Sequence, residues 1–232
     1  MKHFVLVAAL SLSAAPFCTV VAAPPAPTPE ADAAVREQLA GLERHAGALY
    51  AAAREANWPE AKSHSHALVS AVMALENPVD KAQQPLIHTM GKLVRAVRAR
   101  EGLATMHAAN RVLEWAGQRN PGVSGPAAAT ASAGLAQLEF LARELEIAAW
   151  GKDLARSEAM SVKLRDRWAE QRLTLTGRVG ASEVDGYDGL ILKLAGARST
   201  ADFAEAAVAL QQATQKLRAA LRESGQPSSP LP

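Results

Sequence analysis

The sequence predicts an all-α protein made of two tandem, duplicated up-and-down helical bundle units that follow an N-terminal signal peptide. Three observations predict it. Apolar residues recur at helical spacing in segments divided by helix breakers. One pattern of Leu, Ala and Glu occurs twice at a constant offset. Aromatic residues make up only 4% of the chain, so close packing of Ala and Leu is favoured over the aromatic and β-branched surfaces that sheets need.

The chain opens with Met1, Lys2 and His3, continues as an apolar, small-residue run over 4–21, and turns abruptly proline-rich over 23–29. This is the outline of a secretory signal peptide over 1–22. Cleavage is expected after Ala22, because a cut after Ala23 would leave Pro24 on the far side of the scissile bond. Pro16 interrupts the run, which argues against an uncleaved anchor, and no stable membrane insertion is expected after cleavage. Cys18 is the only cysteine, and Pro16 and Phe17 before it lack the small side chains of a lipoprotein signal. A mature chain without cysteine excludes disulfides, thiolate metal sites and covalently attached c-type haem. The expected location is the periplasm or the extracellular medium, and the core alone must supply stability.

The elements follow in order. The 23–29 stretch is expected to be disordered. In the first unit, 30–119, helical spacing marks segments at 30–56, 58–76, 80–100 and 103–118, broken at Asn57, at Asn77-Pro78 and at Gly102. A linker at 120–126, rich in Pro, Gly and Ser, separates it from the second unit, 127–223, with segments at 127–150, 153–174, 187–197 and 200–223. The tail over 224–232 is expected to be disordered. Turns this short make successive helices antiparallel.

The duplication is legible in Leu39, Ala40, Leu42, Glu43, Ala46, Leu49, Ala52 and Ala53. They return with unchanged spacing as Leu135, Ala136, Leu138, Glu139, Ala142, Leu145, Ala148 and Ala149. The register continues through Asn57 and Asp153, Ser65 and Ser161, and Leu68 and Leu164. Each second helix carries a seam suited to burial: Trp58, Ala61, Ser65, Leu68, Val72 and Leu75 in one, Leu154, Ser157, Ser161, Leu164, Trp168 and Leu175 in the other. Around Ala52, Asn57 and Trp58 the chain is similar to helix-turn-helix repeats of the tetratricopeptide kind. The unit is nearer 96 residues than the roughly 34 of that repeat, so nothing is carried over from it.

Candidate chemistry is concentrated in the first unit. It holds His45, His64, His66, His88 and His107 with Met73, Met90 and Met106, whereas the second holds Met160 alone, at the position of His64. Imidazole and thioether suit copper, and imidazole suits zinc, so His64, His66, His88, Met90, Met106 and His107 are the candidate metal ligands. Against a shared site, residues two apart on a helix diverge by about 200°, so His64 and His66 face opposite ways. His88, in phase with Gly91 and Arg95, falls on a solvated face. The opposing reading is therefore surface histidines and core methionines.

Asn110 interrupts an apolar stripe of Leu103, Met106 and Leu113; a bond to Ser65 across the bundle is its expected use, with contact to a ligand the alternative. Trp58, Trp115, Trp150 and Trp168 read as packing anchors. Glu139, Arg143 and Glu146, three or four apart, read as mutual support on an exposed helical face. The sequence lacks a Gly-x-Ser-x-Gly elbow, a phosphate loop and a His-Glu-x-x-His pair, so no enzyme is expected. A net charge of +2 gives no basis for nucleic-acid binding. The reading is a non-catalytic exported binding or protein-interaction module for a periplasmic protein or small ligand, with a copper- or zinc-binding protein as the alternative.

Overall fold

A computed structural model describes residues 29–75, 84–119 and 125–224. The 1–22 segment read as a signal peptide, nearly all of the 23–29 stretch, most of the 120–126 linker and nearly all of the 224–232 tail lie outside these residues. Among the described residues the chain forms eight helices: α1 (Pro29–Arg54), α2 (Trp58–Met73), α3 (Gln84–Ala99), α4 (Gly102–Arg119), α5 (Pro126–Trp150), α6 (Leu154–Leu175), α7 (Ala181–Gly196) and α8 (Thr200–Ser224). The fold is an all-α helical bundle, and among the described residues the only extended pairing is an isolated bridge between Thr176 and Val179.

Local chemistry sets the helix ends. The side chain of Asn57 accepts a hydrogen bond from the Glu60 N–H and Asp153 accepts one from the Arg156 N–H, so each caps the helix that follows. Before each cap the chain turns through a left-handed residue, Ala56 or Lys152, both at φ 56°. The closing backbone bonds match as well: Asn57 N to Ala52 O at 2.8 Å and Asp153 N to Ala148 O at 3.0 Å. This six-to-one bond identifies a Schellman stop. Arg100, at φ 57°, closes α3 in the same way through Glu101 N and Ala96 O. Ser199 and Asp202 form a reciprocal capping box on α8, and those hydrogen bonds from the backbone of Arg198 and Ser199 hold the exposed Asp202 carboxyl below its usual range.

Helix α1 packs against α2 and α4, and α3 closes the ring against α2 and α4; α5 likewise packs against α6 and α8, with α7 closing against α6 and α8. Packing of α4 on α5 joins the two sets. At that seam Gly117 permits close approach, since a Cβ there would stand 3.0 Å from the Ala136 Cβ. Two apolar clusters result. One gathers Leu42, Leu49, Leu68, Leu93 and Met106 with Ile147 of α5, and the other gathers Leu138, Leu145, Leu164, Tyr187 and Phe203. Each fully buried aliphatic side chain contributes about 1.5–3 kcal/mol before the entropy of ordering it is counted.

Several expectations change. The seam of α2 buries Ala61, Ser65, Leu68 and Leu75 with Trp58 and Val72 half-buried, but Leu154 at the head of the α6 seam is exposed, lying in the first turn beyond the core. Helix α7 starts at Ala181 rather than 187, because Val184 reaches the second cluster one turn before Tyr187 does. Trp168 is the buried anchor expected of it, stacked on Tyr187 at 4.1 Å between ring centroids, while Trp150 is exposed.

Candidate functional site

Helix α5 departs furthest from its sequence reading. Of its 25 residues 17 are buried, because α4, α6 and α8 surround it. Glu139 and Glu146, expected on a solvated face, lie inside the protein together with Glu144. Transferring a carboxylate from water costs several kcal/mol unless donors surround it, and each of the three has them. Glu139 pairs with Arg143 one turn on and with Arg218 of α8 at 2.9 Å. Glu144 accepts from Asn110 at 2.9 Å, stands 2.9 Å from His107 Nδ1, and pairs with Arg156 at 2.9 Å. Glu146 accepts from the Tyr50 hydroxyl at 2.9 Å and from Gln211 at 2.8 Å, with Arg54 at 3.5 Å.

The electrostatics follow from this crowding. Burial, then the Glu146 carboxylate beside it, holds the Tyr50 phenol far above its ordinary range. Burial also pushes Glu144 up, but the hydrogen bonds from His107 and Asn110 and the charges of His107 and Arg156 outweigh it, so its carboxyl titrates below the usual value. Asn110 therefore serves α5, donating to Glu144 and to the Phe140 carbonyl, and not Ser65 as expected. The three glutamates tie α1, α4, α6 and α8 to one helix and fix their register. Each is engaged by donors from neighbouring helices.

The six proposed metal ligands are placed at different helix interfaces. His64 turns toward α1, where its Nδ1 stands 3.4 Å from His45 Nδ1. His66, on the other side of α2, lines a cleft against α3. His107 is engaged by Glu144, and His88 is exposed. Met90 and Met106 are core residues of the first cluster. Among the described residues no three His, Cys, Asp or Glu side chains converge as a metal site would require.

The cleft between α2 and α3 has the most suggestive lining. A solvent-open cleft of about 640 Å³ is lined by Trp58, Pro59, Lys62, Ser65, His66, Val94, Val97, Arg98 and Arg100. Two valines and the half-buried indole give it an apolar floor and wall. Its rim carries Lys62, Arg98 and Arg100 and no carboxylate, and none of these three is in an ion pair among the described residues. Sequence reasoning singled out Trp58 and His66 but missed the basic rim. The signal was present in the run of basic residues Arg95, Arg98 and Arg100 at the end of α3, whose direction only the packing of α2 reveals. A second groove, of about 480 Å³ between α3 and α4, mixes Lys92, Arg95 and Arg111 with Glu101, so its charge is more nearly balanced.

No family model matches the chain, and comparison with characterised proteins and with solved structures finds no match either.

Proposed function

We propose that this chain is an exported, periplasmic, non-catalytic binding protein whose ligand is a small molecule with an anionic end and an apolar body, seated between α2 and α3. One observation carries the reading: a cleft with three cations on its rim that are unpaired among the described residues, an indole in its wall and no carboxylate among its described lining. A rim of cations favours an incoming anion, and an indole face adds the stacking or apolar contact that fixes orientation. Export rests on the leader-like segment over 1–22.

The tandem-unit reading is supported by the matched Schellman stops and caps at Ala56-Asn57 and Lys152-Asp153, and by the same order of helix contacts in α1–α4 and α5–α8. Under it the two units have diverged in use, because Lys62 and His66 correspond to Glu158 and Val162. The rival reading, a periplasmic copper- or zinc-binding protein using His64, His66, His88, Met90, Met106 and His107, keeps support at His64, which has a second histidine beside it.

Indole emission tests the cleft. Titration with aromatic carboxylates and aryl phosphates should give a saturable change that weakens with added salt. Trp58→Phe should remove most of the signal, and Lys62→Glu with Arg98→Glu should weaken binding more than about tenfold, a loss of about 1.4 kcal/mol. Binding untouched by charge reversal, or none across the series, refutes the proposed ligand class. Recovery of the chain in the cytoplasmic fraction refutes export.

A further inference from the structure

We propose that His45 of α1 and His64 of α2 form a two-imidazole site for a divalent late transition metal, copper(II) foremost, with its remaining positions open to water or an outside donor. This site is independent of the anion cleft, which lies on the other side of α2.

The distance between the two Nδ1 atoms carries the argument. At 3.4 Å it is long for a hydrogen bond, which for nitrogen donors settles near about 2.9–3.0 Å. Two metal–nitrogen bonds of about 2.0–2.1 Å hold their nitrogens about 3.3–3.4 Å apart at a tetrahedral angle and about 2.8–3.0 Å apart at the right angle of tetragonal copper(II), so the pair closes by about half an ångström to take copper(II). The rings stand 5.7 Å apart between centroids and are inclined by 40°, so the nitrogens face one another while the rings avoid stacking. With neither Nδ1 protonated the two lone pairs face each other, and a cation between them replaces that repulsion with two bonds.

The other side of His64 is prepared in the same sense. Its Nε2 lies 3.6 Å from a carboxylate oxygen of Glu60, one turn earlier on α2, and the other oxygen of Glu60 is held by the Asn57 side-chain amide at 2.6 Å. A carboxylate behind the remote nitrogen is the arrangement found behind many metal-bound histidines, where it fixes the tautomer that leaves Nδ1 facing the metal. Without thiolates, a nitrogen-only pair favours copper(II) over zinc in the usual order of divalent affinities. At the offset of the two units, His64 corresponds to Met160 and His45 to Leu141, so the second unit lacks the pair.

The test uses the untagged exported chain, without residues 1–22, so that neither His3 nor Cys18 competes. Calorimetry with copper(II) and with zinc should show one site per chain with copper(II) the tighter. The copper electron paramagnetic resonance spectrum should show hyperfine coupling to two imidazole nitrogens. His45→Ala or His64→Ala should each weaken binding more than about tenfold, and Glu60→Gln by about tenfold, whereas His66→Ala and His88→Ala should change nothing. Circular dichroism establishes that each variant is folded, and the unsubstituted pair needs no variant to be judged. Absence of stoichiometric copper binding, or a spectrum that survives loss of His45 and His64, overturns the site.

Discussion

The Glu146 junction offers the most direct measurement of how the two four-helix sets are joined. Its carboxylate, essentially inaccessible to solvent, takes the Tyr50 hydroxyl from α1 and the Gln211 amide from α8, with Arg54 farther off and partly exposed. Tyr50→Phe removes one donor and leaves the ring in place. A hydrogen bond to a buried charged acceptor contributes about 1.5–3 kcal/mol, so a loss of about 2 kcal/mol is expected. For a chain of this size that lowers Tm by about 4–8 °C. Glu146→Ala should cost more, about 3–5 kcal/mol, because it leaves the Tyr50 hydroxyl and the Gln211 amide without an acceptor and opens a void. Replacing the three together, as Tyr50→Phe, Glu146→Leu and Gln211→Leu, should recover most of that loss, since no buried polar group is then stranded. Urea unfolding followed by circular dichroism at 222 nm measures each step, and a double-mutant cycle between Tyr50 and Glu146 isolates their coupling. A Tyr50→Phe cost below about 0.5 kcal/mol, the range of ordinary surface changes, would refute the assignment of this carboxylate as a structural junction.

Three further outcomes are expected. The depressed carboxyl of Glu144 contributes stability that is present above its unfolded value of 4.5 and is lost as pH falls through the lower folded value, so urea midpoints should drop in that acid window and Glu144→Gln should flatten the drop. Ala56→Gly and Lys152→Gly each relieve a left-handed backbone that a β-carbon disfavours, so each should raise stability by about 1 kcal/mol in the same urea assay. Trp168→Phe removes the Nε1 hydrogen bond to Asp188 and part of the stack on Tyr187, so a loss of about 1–2 kcal/mol and a blunted near-ultraviolet dichroism signal are expected.

The α5 glutamates show why a periodic reading fell short at the centre of the fold. Glutamate and arginine at three- and four-residue spacing resemble an exposed face, and on most helices here they are one, as Arg111 with Glu114 and Arg167 with Glu170 show. On α5 the surrounding positions, Leu135, Leu138, Leu141, Ala142 and Leu145, are apolar on every side, which is the mark of a helix enclosed all round. That signal was available and outweighs the charge spacing. The histidines illustrate the reverse limit. Helical phase correctly separates His64 from His66, but nothing in the spacing of His45 and His64 indicates that α1 and α2 would set them face to face.

What the sequence determined by itself is local: helical segments with an apolar seam, their stops at Asn57, Gly102 and Asp153, and the recurring Leu and Ala pattern. Periodicity and backbone capping act within a few residues, so they can be read along the chain. What only the tertiary structure decided is which side of each helix meets which neighbour. The partners of Glu146 lie 96 residues before it and 65 after it, and the cleft above Trp58 depends on the rotation of α3 against α2. Those rotations are set by packing the whole bundle at once, which no single stretch of sequence encodes.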